Sequence, residues 1–230
     1  MRVAALIPAF NEEDLILETI KGVRNIPEVD EIVVINDGSQ DGTGAMAQTA
    51  QVRVIDIYPN RGKGGALNAG WRETRADIYL LLDADLGETA AYGSQLLAPV
   101  LNGEAHMTIA EFSPNQAGLE SKKMGFGIVR RFAAFGLWFY TRQIFTSPLS
   151  GQRAVRACVL DSLGGFMEGF GVEVGLTVGA VQEGYMILEI PVPMEHRGHG
   201  RGVKGFLHRG RQLIHICKAL WKCREGGNSR

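Results

Sequence analysis

The chain is short of long hydrophobic runs, of cysteine and of net charge, and each shortage removes a class of protein. No apolar stretch among its 230 residues approaches the ~20 that a helix needs to span a bilayer. Three cysteines, Cys158, Cys217 and Cys223, form no metal-like cluster, and their odd number suits a reducing compartment. The first residues lead straight into a strand-like run, without the basic, apolar and small-residue succession of a secretory leader, so the cytoplasm is the expected location. The net charge of -1 hides an asymmetry. Residues 196 to 230 hold nine Lys or Arg against one acid, together with four of the five histidines, whereas residues 1 to 195 hold 15 basic and 24 acidic side chains. A tail of this kind suits phosphate groups, anionic headgroups or nucleic acid, or is a solvated helix face.

What remains is an ordinary globular composition, 45% hydrophobic and 21% charged, long enough for one good core. Val3 to Pro8 reads as a first core strand broken by Pro8. Asn11 reads as the N-cap of a following helix whose first turn carries Glu12 and Glu13. Residues 30 to 35 and 52 to 57 read as further strands. Between the strands stand Asn36-Asp37-Gly38-Ser39-Gln40-Asp41-Gly42-Thr43 and Arg61-Gly62-Lys63-Gly64-Gly65, each leading into a helix. A fourth strand from Ile78 ends in Leu82-Asp83-Ala84-Asp85. This βαβ rhythm predicts a mostly parallel sheet with right-handed crossovers.

The second half is less regular. Residues 106 to 112 and 186 to 192 read as strands. Residues 126 to 145, 154 to 163 and 172 to 183 read as helices. The first of these is rich in aromatics and carries Arg130, Arg131 and Arg142. It is either a core helix or one that lies on a membrane or walls an acceptor site. Residues 206 to 222 have the spacing of a basic amphipathic helix.

Three strand ends carry candidate chemistry. Asp37 can accept hydrogen bonds from a nucleoside, or can close an Asx turn, as Asp41 also can. Glycines around Lys63 let the backbone approach an anion at a helix N-terminus, with the ammonium to neutralise it. It is not a Walker loop, because the glycine spacing differs and no Ser or Thr follows the lysine. Asp83 and Asp85, one residue apart on extended chain, point the same way and can serve one divalent cation. Together these describe a nucleoside-diphosphate site.

At these residues the chain resembles the inverting family-2 glycosyltransferases with the nucleotide-sugar-binding GT-A fold. The matching stretches are Ile7 to Glu12, Val34 to Thr43, Asn60 to Asn68 and Asp83-Ala84-Asp85, in the family's order. Ser150-Gly151-Gln152-Arg153 is similar to a motif of dolichyl- and polyprenyl-phosphate sugar synthases. Gly169 to Leu176 is similar to glucosyl-3-phosphoglycerate synthase. The resemblance implies one catalytic domain over residues 1 to 200, with a donor half (1 to 112), an acceptor half (113 to 200) and a basic tail (201 to 230).

It further implies that Pro8, Ala9, Glu12 and Asp37 hold the nucleoside, Lys63 the diphosphate, and Asp85 a Mg²⁺ or Mn²⁺, with Asp83 beside it facing the donor's ribose or sugar. His196 is the implied second metal ligand, with His199 its rival. Glu173 is the candidate base, with Glu168 second, and Arg153 the candidate for an acceptor phosphate, with Arg131. The implied partners are a nucleoside-diphosphate sugar, UDP-linked glucose foremost, and a phosphorylated acceptor. That acceptor is polyprenyl phosphate at a membrane touched peripherally, or a small acid such as phosphoglycerate. No nucleic acid is expected, and a homodimer is left open. A sugar nucleotidyltransferase would share this metal logic, but its early glycine-rich Arg/Lys loop is lacking.

Overall fold

A computed structural model describes residues 1 to 112, 126 to 167 and 171 to 195, with the backbone alone at 126 to 130 and 132. Seven strands form one sheet in the order β3-β2-β1-β4-β6-β5-β7. The first half alternates as its hydrophobic runs predict: β1 (Val3–Ala9), α1 (Ile16–Arg24), β2 (Glu31–Asp37), α2 (Thr43–Thr49), β3 (Arg53–Ile57), α3 (Gly62–Glu73) and β4 (Ile78–Leu81). These four strands are mutually parallel, and β1 and β4 are buried almost throughout, as strands covered on both faces must be. A 3₁₀ helix (Gly87–Tyr92) runs into α4 (Gly93–Leu101). Then follow β5 (Met107–Phe112), α5 (Phe126–Thr141), β6 (Arg153–Arg156), α6 (Ala157–Leu163), α7 (Val172–Gln182) and β7 (Ile187–Val192). Two clusters of buried side chains, one on each face of the sheet, make the core.

Three local expectations are corrected. Pro8 does not break β1, which continues to Ala9, paired with Asn36. Leu6 faces β4, since its carbonyl accepts the Leu82 amide, and Pro8, two residues on, faces the same side. The β4 pairing ends at Leu6–Leu81, so the missing N–H of Pro8 has no ladder bond to lose. Asn11 caps no helix. Its φ of +56° sets a left-handed turn, its amide donates to Ser39 Oγ and its Oδ1 accepts from the Gln40 amide, while α1 begins only at Ile16. Residues 154 to 156 are not the start of a helix but belong to β6, which is antiparallel to both β4 and β5. Four residues are too few to show a period, and the helix begins at Ala157.

The reversal at β6 matters for function. Arg153 pairs with Leu81, so the start of β6 lies at the same edge of the sheet as the ends of β1, β2 and β4. Residues 150 to 152 are thereby delivered to the carboxyl edge, where open α/β sheets bind their ligands.

Candidate active site

The turn after β2 builds the first wall. Asp37 is buried, and its Oδ1 accepts the Arg61 amide at 2.7 Å at the entry to α3. Asn60 Nδ2 donates to the Asp37 carbonyl at 2.7 Å. Gly38, at φ +72°, lies so close to Asn60 that a Cβ would come 3.1 Å from its amide nitrogen. Two loops are sewn together here. Thr43 Oγ1 accepts the Glu12 amide, Glu13 Oε2 accepts the Gly42 amide, and Asp41 accepts from the Thr43 amide and hydroxyl. Ala9 is buried and Pro8 half-buried at the lip of this wall.

β4 stops at Leu81, so Asp83 and Asp85 lie in the turn beyond the strand rather than on extended chain. That turn is fixed from behind by Thr19 of α1, whose buried hydroxyl donates to the Ala84 carbonyl at 2.7 Å and accepts the Gly87 amide at 2.9 Å. The two acids therefore divide. Asp83 Oδ1 meets the Lys63 ammonium at 2.6 Å, and its Oδ2 accepts Gln152 Nε2 at 2.7 Å. Burial first, then the charges of Asp85 and Asp83, push the Glu12 carboxyl up to about 7. An acid raised by its acidic neighbours marks a place where a hard cation would relieve repulsion, and carboxylate oxygens are the donors Mg²⁺ and Mn²⁺ accept. The Asp85 carboxylate has the chemistry such an ion takes. Among the described residues no three metal-binding side chains enclose a site by themselves. His196, the other expected ligand, and its rival His199 lie outside the described residues, as does Glu168.

Lys63, in the first turn of α3, reaches a second acid, Glu173 Oε1 at 3.0 Å. Glu173 stands in the first turn of α7, as the sequence predicts. Burial would lower the lysine's proton affinity, but Asp83 and Glu173 prevail and hold it well above its ordinary value. Gly151 lies against this group. A Cβ there would collide with the Lys63 ammonium and come 3.1 and 3.2 Å from the Asp83 oxygens. Arg153 is 1% exposed rather than presented to solvent. Its Nε donates to the Ser150 carbonyl at 2.9 Å and its Nη1 to Thr177 Oγ1 at 2.8 Å. Burial pulls its proton affinity down to about 10, against the charges of Glu173 and Glu189. Arg131 is exposed on α5.

The structure thus brings Glu12, Asp37, Lys63, Asp83, Asp85 and Glu173 to one edge of the sheet. Gln152 joins them without having been singled out by the sequence. Its position inside the Ser150 to Arg153 stretch was visible, but its contact with Asp83 depends on the reversal of β6. Thr19 was equally hidden, because a threonine on the inner face of a helix looks like filler.

The family model for "Glycosyl transferase family 2" matches residues 4 to 155. The chain is 29% identical over 194 residues to a glucosyl-3-phosphoglycerate synthase of Mycolicibacterium paratuberculosis, covering 76% of this chain and 59% of that protein. It is 28% identical over 218 residues to an undecaprenyl-phosphate mannosyltransferase of Micrococcus luteus, covering 87% and 86%. It is also similar to the crystal structure of glucosyl-3-phosphoglycerate synthase from Mycobacterium tuberculosis in complex with Mn²⁺, UDP-glucose and phosphoglyceric acid. The TM-score is 0.78 at 25% identity, covering 96% of this chain and 79% of that one. The chain thus spans about three fifths of the length of the first of these relatives. Its sheet, flanked by helices and mostly parallel, is the GT-A fold of the crystallised synthase, and the chain belongs to glycosyl transferase family 2.

Proposed function

We propose that the chain transfers a hexose, glucose foremost, with inversion from a UDP-linked donor to the phosphate of a polyprenyl phosphate. The observation that carries the transfer chemistry is the single Lys63 ammonium held between Asp83 and Glu173 at the carboxyl edge of the sheet. Asp37, Pro8, Ala9 and Glu12 line the wall suited to the nucleoside, and Lys63 stands where a diphosphate needs a positive charge. A divalent cation held by Asp85 and His196 would neutralise the departing diphosphate. The acceptor oxygen attacks the anomeric carbon from the side opposite the diphosphate. The bond to the diphosphate breaks as the new one forms, and the nucleoside diphosphate leaves with the electron pair. A phosphate oxygen is already ionised and needs no base. For a hydroxyl acceptor, Glu173 takes the proton once the diphosphate competes for Lys63. Residues 1 to 112 serve the donor in this reading, and 113 to 200 the acceptor.

The choice of a lipid acceptor rests on α5. Phe135, Trp138 and Phe139 are exposed on it, and the Arg142 guanidinium stacks over both Trp138 and Phe139. A second reading, transfer to phosphoglycerate, is favoured by the likeness to the mycobacterial synthase crystallised with phosphoglyceric acid. Incubation with labelled UDP-glucose and Mn²⁺, offering polyprenyl phosphate in micelles or 3-phosphoglycerate, separates the two. Label entering the organic phase supports the first, and exclusive use of phosphoglycerate overturns it. Release of pyrophosphate instead of UDP would overturn both.

A further inference from the structure

Among the described residues Arg153 is the largest of the fully buried side chains, and burying a guanidinium is expensive. An apolar side chain of similar volume would fill the space at less cost. What a guanidinium adds is direction, because its donors leave a rigid plane at fixed angles. Those donors reach two separate segments. Nε holds the Ser150 carbonyl at 2.9 Å, and Nη1 holds Thr177 Oγ1 at 2.8 Å, with Met107 Sδ at 3.9 Å. Nη2 has no hydrogen-bond partner among the described residues.

Each segment leads within a few residues to Lys63. From Ser150 the chain passes through Gly151, packed against the ammonium, to Gln152, whose amide holds Asp83 Oδ2. The carbonyl of Gln152 is in turn fixed by the Ala110 amide at 2.9 Å. On the other side, Thr177 spends its one hydroxyl proton on the Glu173 carbonyl at 2.8 Å, one turn earlier in α7, so its oxygen is left to accept from Arg153. Glu173 then meets Lys63 at 3.0 Å.

We propose that Arg153 is a positioning residue that ties residues 150 to 152 to the first turn of α7 and so centres the Lys63 ammonium between Asp83 and Glu173. This replaces the expectation that Arg153 grips the acceptor. It rests on the reading of Lys63 as the donor's phosphate partner, and it reaches the reaction only through that lysine. A displacement of about an ångström in such a group costs on the order of 100-fold in rate.

The test uses Arg153→Met, Arg153→Lys and Thr177→Val. The last removes only one hydroxyl, so it carries the test if the methionine variant fails to fold. Amide hydrogen exchange at 150 to 152 and at 172 to 177 is read without any substrate. Each variant is expected to speed exchange in both segments, with the lysine variant intermediate. Release of UDP from UDP-glucose with Mn²⁺ is expected to slow about 10- to 100-fold, while affinity for uridine monophosphate and the acceptor KM stay within about twofold. A tenfold rise in acceptor KM with turnover little changed would show that Arg153 binds the acceptor directly and would overturn the proposal. Faster exchange in only one segment, or unchanged turnover with both loosened, would overturn it equally. If the unaltered chain turns over no donor, the functional reading fails, and the exchange pattern still decides the link between the segments.

Discussion

Lys63 Nζ lies 2.6 Å from Asp83 Oδ1, so the first turn of α3 is pinned to the turn that follows β4. The same ammonium holds Glu173 of α7 at 3.0 Å, which makes one lysine the only positive charge shown between two partly buried acids among the described residues. Lys63→Met should therefore do two things. Turnover should fall at least about 100-fold, the usual cost of losing one charge-stabilising group at a leaving group. The chain should also lose stability, because Asp83 and Glu173 are left as neighbouring like charges. Melting curves should show the deficit. Adding Asp83→Asn should recover part of it, as a non-additive cycle.

Gly151 is needed for room rather than for backbone freedom. It is not among the glycines with positive φ, so alanine suits its backbone, but a Cβ there would displace the Lys63 ammonium. Gly151→Ala should fold with a melting temperature within a few degrees of the parent and lose turnover by roughly 100-fold. Steady-state kinetics beside a thermal melt would show the separation. Equal losses in both would mean that the glycine serves the fold.

The placement of the site's side chains at the carboxyl edge was legible in the sequence wherever a strand ran straight into the turn that follows it. Asp37, Lys63 and Asp83 each follow an apolar run or open a helix, so their order along the chain already placed them at one edge. What the sequence concealed depends on long-range pairing. β6 is four residues long, too short for a period, and only its antiparallel insertion between β4 and β5 carries Gln152 to Asp83. That Arg153 is buried could not be foreseen either, because burial of an arginine cannot be read from its neighbours in the sequence. Asn11 looked like a cap because cap residues and left-handed turn residues are drawn from the same side chains.

Glu12 should make the metal-free protein sensitive to pH. Its carboxyl is raised in the fold from an ordinary value of 4.5 to about 7 by burial and by Asp85 and Asp83. Between those values the folded chain holds a proton that the unfolded chain has released. Its contribution to stability is fully present below the lower value, shrinks across the window, and is gone above about 7. Glu12→Gln should flatten this slope, with a melting temperature that gains on the parent as pH rises from 5 to 7.5. A cation bound beside Asp85 would favour the charged carboxylate, so Mn²⁺ binding near pH 6.5 should release protons. Calorimetry in buffers of different ionisation enthalpy should detect that release in the parent and a smaller one in Glu12→Gln.

The exposed face of α5 gives the sharpest test of a lipid acceptor. Ala133 and Leu137 are fully buried toward the core, whereas Phe135 is 60% exposed, Trp138 41% and Phe139 54%. The same helix carries no acid from Phe126 to Thr141, and Arg142 follows it over the rings of Trp138 and Phe139. Aromatics and arginine together suit the boundary between headgroups and acyl chains, where rings bury and the cation meets lipid phosphate. Because these side chains contribute little to the core, Trp138→Ala with Phe139→Ala should leave the melting temperature nearly unchanged. Co-sedimentation with vesicles containing anionic phosphatidylglycerol should weaken at least about tenfold, on the scale of ~1–2 kcal/mol for each ring removed. Binding by the parent should fall with added salt and be weaker on purely zwitterionic vesicles. Turnover with a short, water-soluble polyprenyl phosphate should stay near the parent's, while turnover with vesicle-embedded acceptor drops. If both acceptors are affected alike, the aromatic face shapes the acceptor site itself. If neither is affected, α5 has no part in the acceptor's approach.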